Sequence, residues 1–371
     1  MLMGLNKRVL LFGGSYNPIH QGHINAALVA YNAINADEVW LIPRKYNYDG
    51  SLLLDGKIRI NMIKMAIKDL PQFKICKIEL NDTNKELIYT YNTAKILVNK
   101  YPNIDFYFLI GADQLNNLIH WYNAKELTTM FKFVCYLRPG HPLNYEIAKE
   151  YNVQVLDGNQ IDVSSTLIRS GSFSNLDDNI KKYICKKQLY LKERVMPRLP
   201  EERFIHSLST ARLAKQIAKS IDTNANKAYV AGILHDIAKG LSFDQIENIV
   251  KENYKSKINY PKYCYHAYAS AFIAKRDFGI NDKEILKAIK NHCRPTKTMS
   301  KLDKIIYCAD KLELSRPFAD RLNVIRNLAF IDINKCFIAT MEDQLNFLKE
   351  SNSKVDPNLV KIISFYKGEN S

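Results

Sequence analysis

Leu11-Phe12-Gly13-Gly14-Ser15-Tyr16-Asn17-Pro18-Ile19-His20-Gln21-Gly22-His23 decides how the first half of this chain is read. Residues 9–12 form a short apolar run with the character of a buried strand. Two glycines and a proline turn follow, and helix-compatible residues continue to Ala33. A strand, a glycine-rich turn and a helix start aim backbone N–H groups and a helix dipole at one point, where an anion can sit. His20 and His23 stand three apart at that helix start, so both rings can face the same side. Imidazoles over a phosphate nest suit phosphate chemistry, because each ring can donate hydrogen bonds to charge building up on phosphate oxygens. A Gly-Gly turn alone is an ordinary connection; the histidines directly after it carry the functional reading.

At 371 residues the chain has room for two or three domains. Its 47% hydrophobic and 25% charged content is that of a globular protein in which each half can bury a core. No run of about 18 apolar residues occurs and the N-terminus lacks a signal-peptide layout, so a cytoplasmic protein without a membrane partner is expected. The seven cysteines are scattered without a C-x-x-C pair, which fits reduced thiols rather than a disulfide frame. A net charge of +15 would suit nucleic acid, an acidic membrane surface or polyanionic small substrates. The lysines and arginines are spread out, in nothing longer than pairs such as Lys181-Lys182 and Lys186-Lys187, and no nucleic-acid motif accompanies them. The charge therefore reads as a solvated surface whose field favours nucleotide substrates.

Up to about Leu191, strand-like runs at 9–12, 38–42, 73–80, 105–110, 133–137 and 153–156 alternate with helical patterns at 25–33, 58–70, 92–100 and 125–130. That alternation predicts a mostly parallel α/β sheet with helices on both faces. Ligands of such sheets bind at the carboxyl ends of strands, the edge on which both the glycine turn and Gly111-Ala112-Asp113 would lie. Asp113 reads equally well as a helix N-cap. In Val163-Ser164-Ser165-Thr166-Leu167-Ile168-Arg169 the hydroxyls would cap a helix and bind phosphate, and Arg169 can fork onto phosphate oxygens.

Two prolines and several charges in residues 191–200 mark a linker or domain start. Beyond it long 3.6-period segments take over, among them 202–220, 226–238, 243–253, 267–278, 283–291 and 301–314, so the second half reads as all-α. Ser242-Phe243-Asp244-Gln245 is a capping-box pattern, and Gly279 stands where a C-terminal cap is expected. His206, His235-Asp236, His266, His292 and Asp310 fall on or at the ends of successive helices, in apolar company. Burying an unpaired carboxylate is costly, so Asp236 and Asp310 want partners. Imidazole and carboxylate together suit Zn, Fe or Mn, and a helix bundle can point several such ligands inward. Cys264, Cys293 and Cys308 lie near these positions but read as free thiols.

The first 190 or so residues resemble bacterial nicotinate-nucleotide adenylyltransferases, of the nucleotidyltransferase superfamily with a Rossmann-like α/β fold. The matching residues are Gly13-Gly14-Ser15 through His20-Gln21-Gly22-His23, Tyr89-Thr90-Tyr91-Asn92-Thr93, Ile110-Gly111-Ala112-Asp113, Trp121, Arg138-Pro139-Gly140 and Ser164 to Arg169. The resemblance implies transfer of AMP from ATP to nicotinate mononucleotide with Mg²⁺. His20 and His23 would grip the ATP phosphates, Arg169 the β/γ side, and Thr90 and Asp113 would lie near the second half of the dinucleotide. Gly13, Gly14, Ser15, Gly111, Trp121, Arg138, Ser164, Ser165 and Thr166 are its further candidate nucleotide-binding residues. Tyr16-Asn17 replaces the usual Phe-Asp, residues 44–55 replace a loop of Pro-Pro-His-Lys character, and Ile88 stands where Ser is common.

The second half resembles the HD metal-dependent phosphohydrolases, most closely bacterial symmetrical diadenosine-tetraphosphate hydrolases. The matches are Arg203-Phe204-Ile205-His206, His235-Asp236-Ile237-Ala238-Lys239, Tyr265-His266-Ala267, His292 and Lys304 to Asp310, continued by Glu313 and Arg316. Leu314 replaces a proline, and His292-Cys293-Arg294-Pro295-Thr296 replaces a His-Thr-x-Gly-Arg stretch. By this resemblance His206, His235, Asp236 and Asp310 would bind one metal, and His266 and His292 a second that Asp236 bridges; iron is expected, with Mn or Zn as alternatives. Lys239 and Arg316 would meet substrate phosphate, and diadenosine tetraphosphate would be cut into two ADP. The expectation is thus a Rossmann-like nucleotidyltransferase domain (1–191) followed by an all-α HD bundle (192–371), with a homo-oligomer compatible with both. Rival readings keep another acceptor, such as nicotinamide mononucleotide or phosphopantetheine, for the first half. They give the second half other nucleotides, or a sensing role without turnover.

Overall fold

The computed structural model describes residues 6–47, 53–83, 89–137, 142–157, 161, 163–257, 259–315 and 322–368. Arg138 and Arg316 lie outside these residues. The chain divides into two compact units, Met1–Tyr183 and Ile184–Ser371.

The first unit alternates strand and helix: β1 (Lys7–Gly14), α1 (Gln21–Ala33), β2 (Glu38–Pro43), α2 (Gly56–Ala66), β3 (Phe73–Ile75), α3 (Thr90–Lys100), β4 (Ile104–Gly111), α4 (Ala112–Asn116), α5 (Ala124–Met130), β5 (Lys132–Tyr136), α6 (Tyr145–Glu150), β6 (Gln154–Leu156) and α7 (Ser165–Arg169). The six strands are ordered β3-β2-β1-β4-β5-β6, every pairing parallel. Connections run outward in opposite directions from β1 and β4, so the sheet's switch point lies between them, where open α/β sheets bind ligands. Phe12 pairs with Leu109, which brings Gly13-Gly14 and Gly111 to one edge. The core on one face is Val9, Leu11, Phe106, Phe108, Phe131 and Phe133 with their neighbours, the buried pattern a parallel sheet requires. One expected strand is cut short. The run 73–80 pairs with β2 only as far as Ile75, and Asn81 N–H then bonds back to Lys77 O at 3.1 Å, so the chain turns instead.

α8 (Asp178–Lys186) contains the boundary between the units. The second unit is helical: α9 (Leu191–Val195), α10 (Glu201–Ser220), α11 (Ala225–Leu234), α12 (Phe243–Asn253), α13 (Tyr265–Phe278), α14 (Lys283–Asn291), α15 (Lys301–Leu312), α16 (Asn323–Ala329), α17 (Ile333–Glu350) and α18 (Pro357–Lys367). Its core gathers Ile217, Ile233, Phe278, Ile305, Tyr307 and Phe337. Ser242 and Gln245 form the capping box at α12, and Gly279 ends α13 at φ 70°. The helix expected over 226–238 stops at Leu234, for a reason that lies in the site. His235 and Asp236 both face the bundle centre, whereas adjacent residues of a continuous α-helix point about 100° apart. Asp236 leaves the helix at φ −109°, ψ 13°, and a 3₁₀ turn, Ile237–Gly240, follows.

Candidate active sites

In the first unit the loop after β1 meets the start of α7. Ser165 Oγ donates to Pro18 O at 2.8 Å, and Arg169 donates from Nη1 to Asn17 O at 2.8 Å and from Nη2 to Thr166 Oγ1 at 3.0 Å. Ser164 caps α7, accepting from Leu167 N–H at 3.2 Å. The His20 and His23 rings lie over one another, centroids 3.7 Å apart, with His20 buried. His23 Nδ1 accepts from the His20 backbone N–H at 3.2 Å, which puts the proton of the neutral ring on Nε2. Gly22 lets the His20 ring and Val163 sit against the backbone of α1: a Cβ there would stand 2.9 Å from Val163 Cγ1 and 3.0 Å from His20 Nδ1. Ser15 contributes its carbonyl to Arg59 Nη1 at 2.7 Å.

Gly13, Thr90, Gly111, Asp113 and Trp121 line a cavity of about 90 Å³ at the carboxyl ends of β1 and β4. Gly111, not Asp113, holds the N-cap position of α4; Asp113 sits in its first turn and accepts from Gln114 Nε2 at 3.1 Å. Arg44 and Glu79 line the same cavity; the sequence reading has Arg44 only as the start of a replaced loop and passes over Glu79. Burial pushes the Glu79 carboxyl up to about 7, although the Arg44 charge and a 3.1 Å bond from Thr93 Oγ1 pull the other way. Gly14 shares the loop, its carbonyl accepting from Arg44 N–H at 3.0 Å.

In the second unit α10, the end of α11, α13, the end of α14 and α15 each send one or two ligand-type side chains to one point. His206, His235 and Asp310 form one group whose ligand atoms lie within 4.8 Å of one another, and His235, Asp236 and His292 form another. Asp236 faces both ways: Oδ2 is 3.5 Å from His235 Nε2 and 3.9 Å from His206 Nε2, while Oδ1 is 3.3 Å from His266 Nε2 and 3.5 Å from His292 Nε2. Asp310 Oδ1 lies 3.0 Å from His206 Nε2 and 3.5 Å from His235 Nε2. The second ring nitrogens are tied down. His235 Nδ1 donates to Gly232 O at 2.7 Å, His292 Nδ1 to Ile289 O at 2.6 Å, and His206 Nδ1 bonds Glu313 Oε1 at 3.0 Å. These bonds turn Nε2 lone pairs inward, and His206 and His235 Nε2 stand 3.2 Å apart, His266 and His292 Nε2 3.1 Å apart.

Lone pairs and carboxylates converging in a buried space need positive charge between them. Asp236 Oδ1 is buried and makes no hydrogen bond of good geometry. Burial works against ionisation of Asp236 and Asp310, yet the surrounding imidazoles, with Lys311 beside Asp310, hold both well below the carboxylate range. Burial likewise pushes His292 down to about 4, leaving a neutral ring, while His206 is raised by Asp310 and Glu313 in spite of its burial. Imidazole Nε2 atoms set beside ionised carboxylates are a divalent-metal donor set, and the site fits one. Cys264, Cys293 and Cys308 are free thiols, and neither group includes a cysteine.

Beside the cluster opens a cleft of about 970 Å³. His206, Glu313, Arg203 and Lys239 line one part of it, and Leu241 and Phe243 add an apolar wall. Arg203 Nη1 and Lys239 Nζ each reach Asp236 Oδ2 at 3.1 Å. Glu313 also accepts from Ser315 N–H at 2.6 Å, and these bonds bring its carboxyl, against its burial, to about 2. The sequence reading sees Arg203 and Glu313 as motif members without a task.

Comparison with known proteins agrees with this division. Residues 11–171 match the cytidylyltransferase-like family model, and residues 203–315 match that of the HD domain, which implies a divalent metal. A Mycoplasma genitalium protein named probable nicotinate-nucleotide adenylyltransferase/Ap4A hydrolase is 34% identical over 355 residues, covering 93% of this chain and 100% of that one. Its Mycoplasma pneumoniae namesake is 35% identical, over 83% of this chain and 89% of its own. The Bacillus subtilis nicotinate-nucleotide adenylyltransferase is 32% identical, and its match spans 50% of this chain and 98% of that protein. With both sites built and a relative matched along its whole length, the chain belongs to the nicotinate-nucleotide adenylyltransferase/Ap4A hydrolase family, a nucleotidyltransferase joined to an HD phosphohydrolase.

Proposed function

We propose that the first unit transfers the adenylyl group of Mg²⁺-ATP to nicotinate mononucleotide, and that the second hydrolyses diadenosine tetraphosphate to two ADP. For the first reaction the supporting observation is the meeting of His20, His23, Ser165 and Arg169 around one loop beside a cavity walled by Trp121. The nucleophile is a phosphate oxygen already on the acceptor; it bonds to the α-phosphorus as the bond to pyrophosphate breaks. No side-chain nucleophile is required, so the work is positioning and charge stabilisation. His23 Nε2–H donates to a phosphate oxygen, His20 lies against the same anion, and Arg169 holds the leaving side.

For the second reaction the His–Asp cluster at the head of the 970 Å³ cleft supports the reading. A divalent metal bound there supplies Lewis acidity toward phosphoryl oxygen and a more acidic water. We assign His206, His235, Asp236 and Asp310 to one ion and His266 and His292, with Asp236, to another, and favour iron over Mn or Zn for this nitrogen–oxygen set. Arg203 and Lys239, each 3.1 Å from Asp236 Oδ2, would be the cations available to substrate phosphates if Asp236 served a metal. Water adds to a central phosphorus as the bond to ADP breaks, and the apolar wall takes a base. Free cysteines and the lack, among the described residues, of a helix long and apolar enough to cross a membrane support a cytoplasmic setting.

The test uses full-length protein with its metal quantified. Wild type is expected to release ADP alone from diadenosine tetraphosphate, and His235→Ala with Asp236→Ala to lose metal and hydrolysis together. Unequal products such as ATP and AMP would refute symmetrical cleavage. His20→Ala should lower dinucleotide formation from ATP and nicotinate mononucleotide by about 100-fold or more; a fully active variant removes that assignment.

A further inference from the structure

We propose that Lys311 is a positioning residue of the metal cluster, its ammonium holding Asp310 to one-oxygen ligation and keeping Asp310 in register with His292. The inference rests on the metal-centre reading of the helical unit and names the group that orients two of its ligands.

The two carboxylates of the cluster are placed differently. Asp236 presents both oxygens to imidazoles, Oδ2 to His206 and His235 and Oδ1 to His266 and His292. Asp310 presents Oδ1 to His206 and His235, at 3.0 and 3.5 Å, while Lys311 Nζ donates to its Oδ2 at 3.0 Å. The same ammonium donates to His292 O at 3.0 Å, the carbonyl at the C-cap of α14. A carbonyl at a helix C-terminus finds no N–H partner within its own helix, and a cation suits it. The ammonium also lies over the Tyr307 ring, 3.9 Å from its centroid and one turn back on α15. That ring is fully buried and is fixed by its hydroxyl, which donates to Gln344 Oε1 at 2.6 Å. An ammonium has three N–H donors and no acceptor, so two hydrogen bonds and an aromatic face use it fully. Lys311 thereby ties a ligand of the first metal group to a ligand of the second, on two different helices. Unlike Arg203 and Lys239 it does not line the cleft, so its task lies with the ligands rather than with substrate phosphate.

Two effects of the ammonium oppose each other. Its charge repels a cation bound at Asp310, whereas its hydrogen bonds aim Oδ1 at the cluster and keep Oδ2 away. Removing it tightens metal binding if charge alone acts, and weakens it if orientation acts. The experiment strips the full-length protein of metal and titrates it with Co²⁺, following visible absorption and ions bound per chain; melting temperatures without metal report folding. Lys311→Met is expected to lower Co²⁺ affinity about 10- to 100-fold and to change the absorption bands, because Asp310 is then free to turn its second oxygen to the ion. Lys311→Arg, which can also donate to a carboxylate and a carbonyl, should restore part of both. Where the methionine variant does not fold, Lys311→Gln, too short to reach both partners, is read in the same way. Equal or tighter binding, unchanged bands, or a loss that arginine does not restore overturns the inference. A wild type that binds no Co²⁺ refutes the metal-centre reading itself, and the inference falls with it.

Discussion

His206 turns Nε2 into the cluster because Glu313 holds its other ring nitrogen at 3.0 Å, and Ser315 in turn holds Glu313. Glu313→Gln keeps the shape but not the charge, so metal affinity or hydrolysis should fall about 10- to 100-fold, checked by metal content after dialysis and by turnover. Glu79 makes a prediction of the opposite electrostatic kind. Its carboxyl sits near 7 in the folded chain against an ordinary 4.5, so the folded state binds the proton more tightly than the unfolded one. The stability this contributes is fully present below about 4.5 and is lost as pH rises through 7, a span of about 3 kcal/mol. Glu79→Gln lacks that slope, and denaturant melts at pH 5 and pH 8 should show the variant gaining on wild type at the higher pH. The ligand-type residues were legible in the chain because histidine and aspartate inside apolar helical runs are expensive and so demand an explanation. Arg44 and Glu79 were not, since their meaning depends on strand ends that bring distant parts of the chain to one cavity.

At the scale of elements, α10 and α11 approach so closely that Gly232 leaves no space for a methyl group: a Cβ would lie 2.7 Å from Ala211 Cα and 3.0 Å from its N. Both contacts are backbone, so Gly232→Ala must push the helices apart. The cost should be about 1–3 kcal/mol, read as a lower melting temperature, with a further loss of hydrolysis because the displaced helices carry His206 and His235. Alternating strand and helix patterns were enough to anticipate six strands and their parallel arrangement. They overran β3, because Cys76-Lys77-Ile78 is apolar enough for a strand but continues as a turn. They also overran α11, because periodicity registers apolar spacing and is blind to two neighbouring ligands that must face one point. The elements after α15 had no chemistry to draw the eye, and α17 and α18 serve the core through Phe337, Met341 and Ile362.

Across the whole molecule the charge of +15 is spread rather than patterned, and the proposed substrates are all anions that such a field attracts. The two sites draw on separate stretches of chain, so inactivating the cluster by His235→Ala with Asp236→Ala should leave adenylyl transfer in place, measured on the same preparation. The inward-turned lone pairs have a thermodynamic consequence as well. A bundle whose centre is a converging set of acceptors is a chelator that exists only while folded, so every ion it takes is drawn from the folding equilibrium. Above the dissociation constant, each tenfold rise in free metal should add about 1.4 kcal/mol per ion to the stability of the helical unit. Calorimetry under a series of metal buffers should show its melting temperature climbing with the logarithm of free metal, and a flat response would contradict this coupling. The unit's melting point is then a gauge of the metal around it.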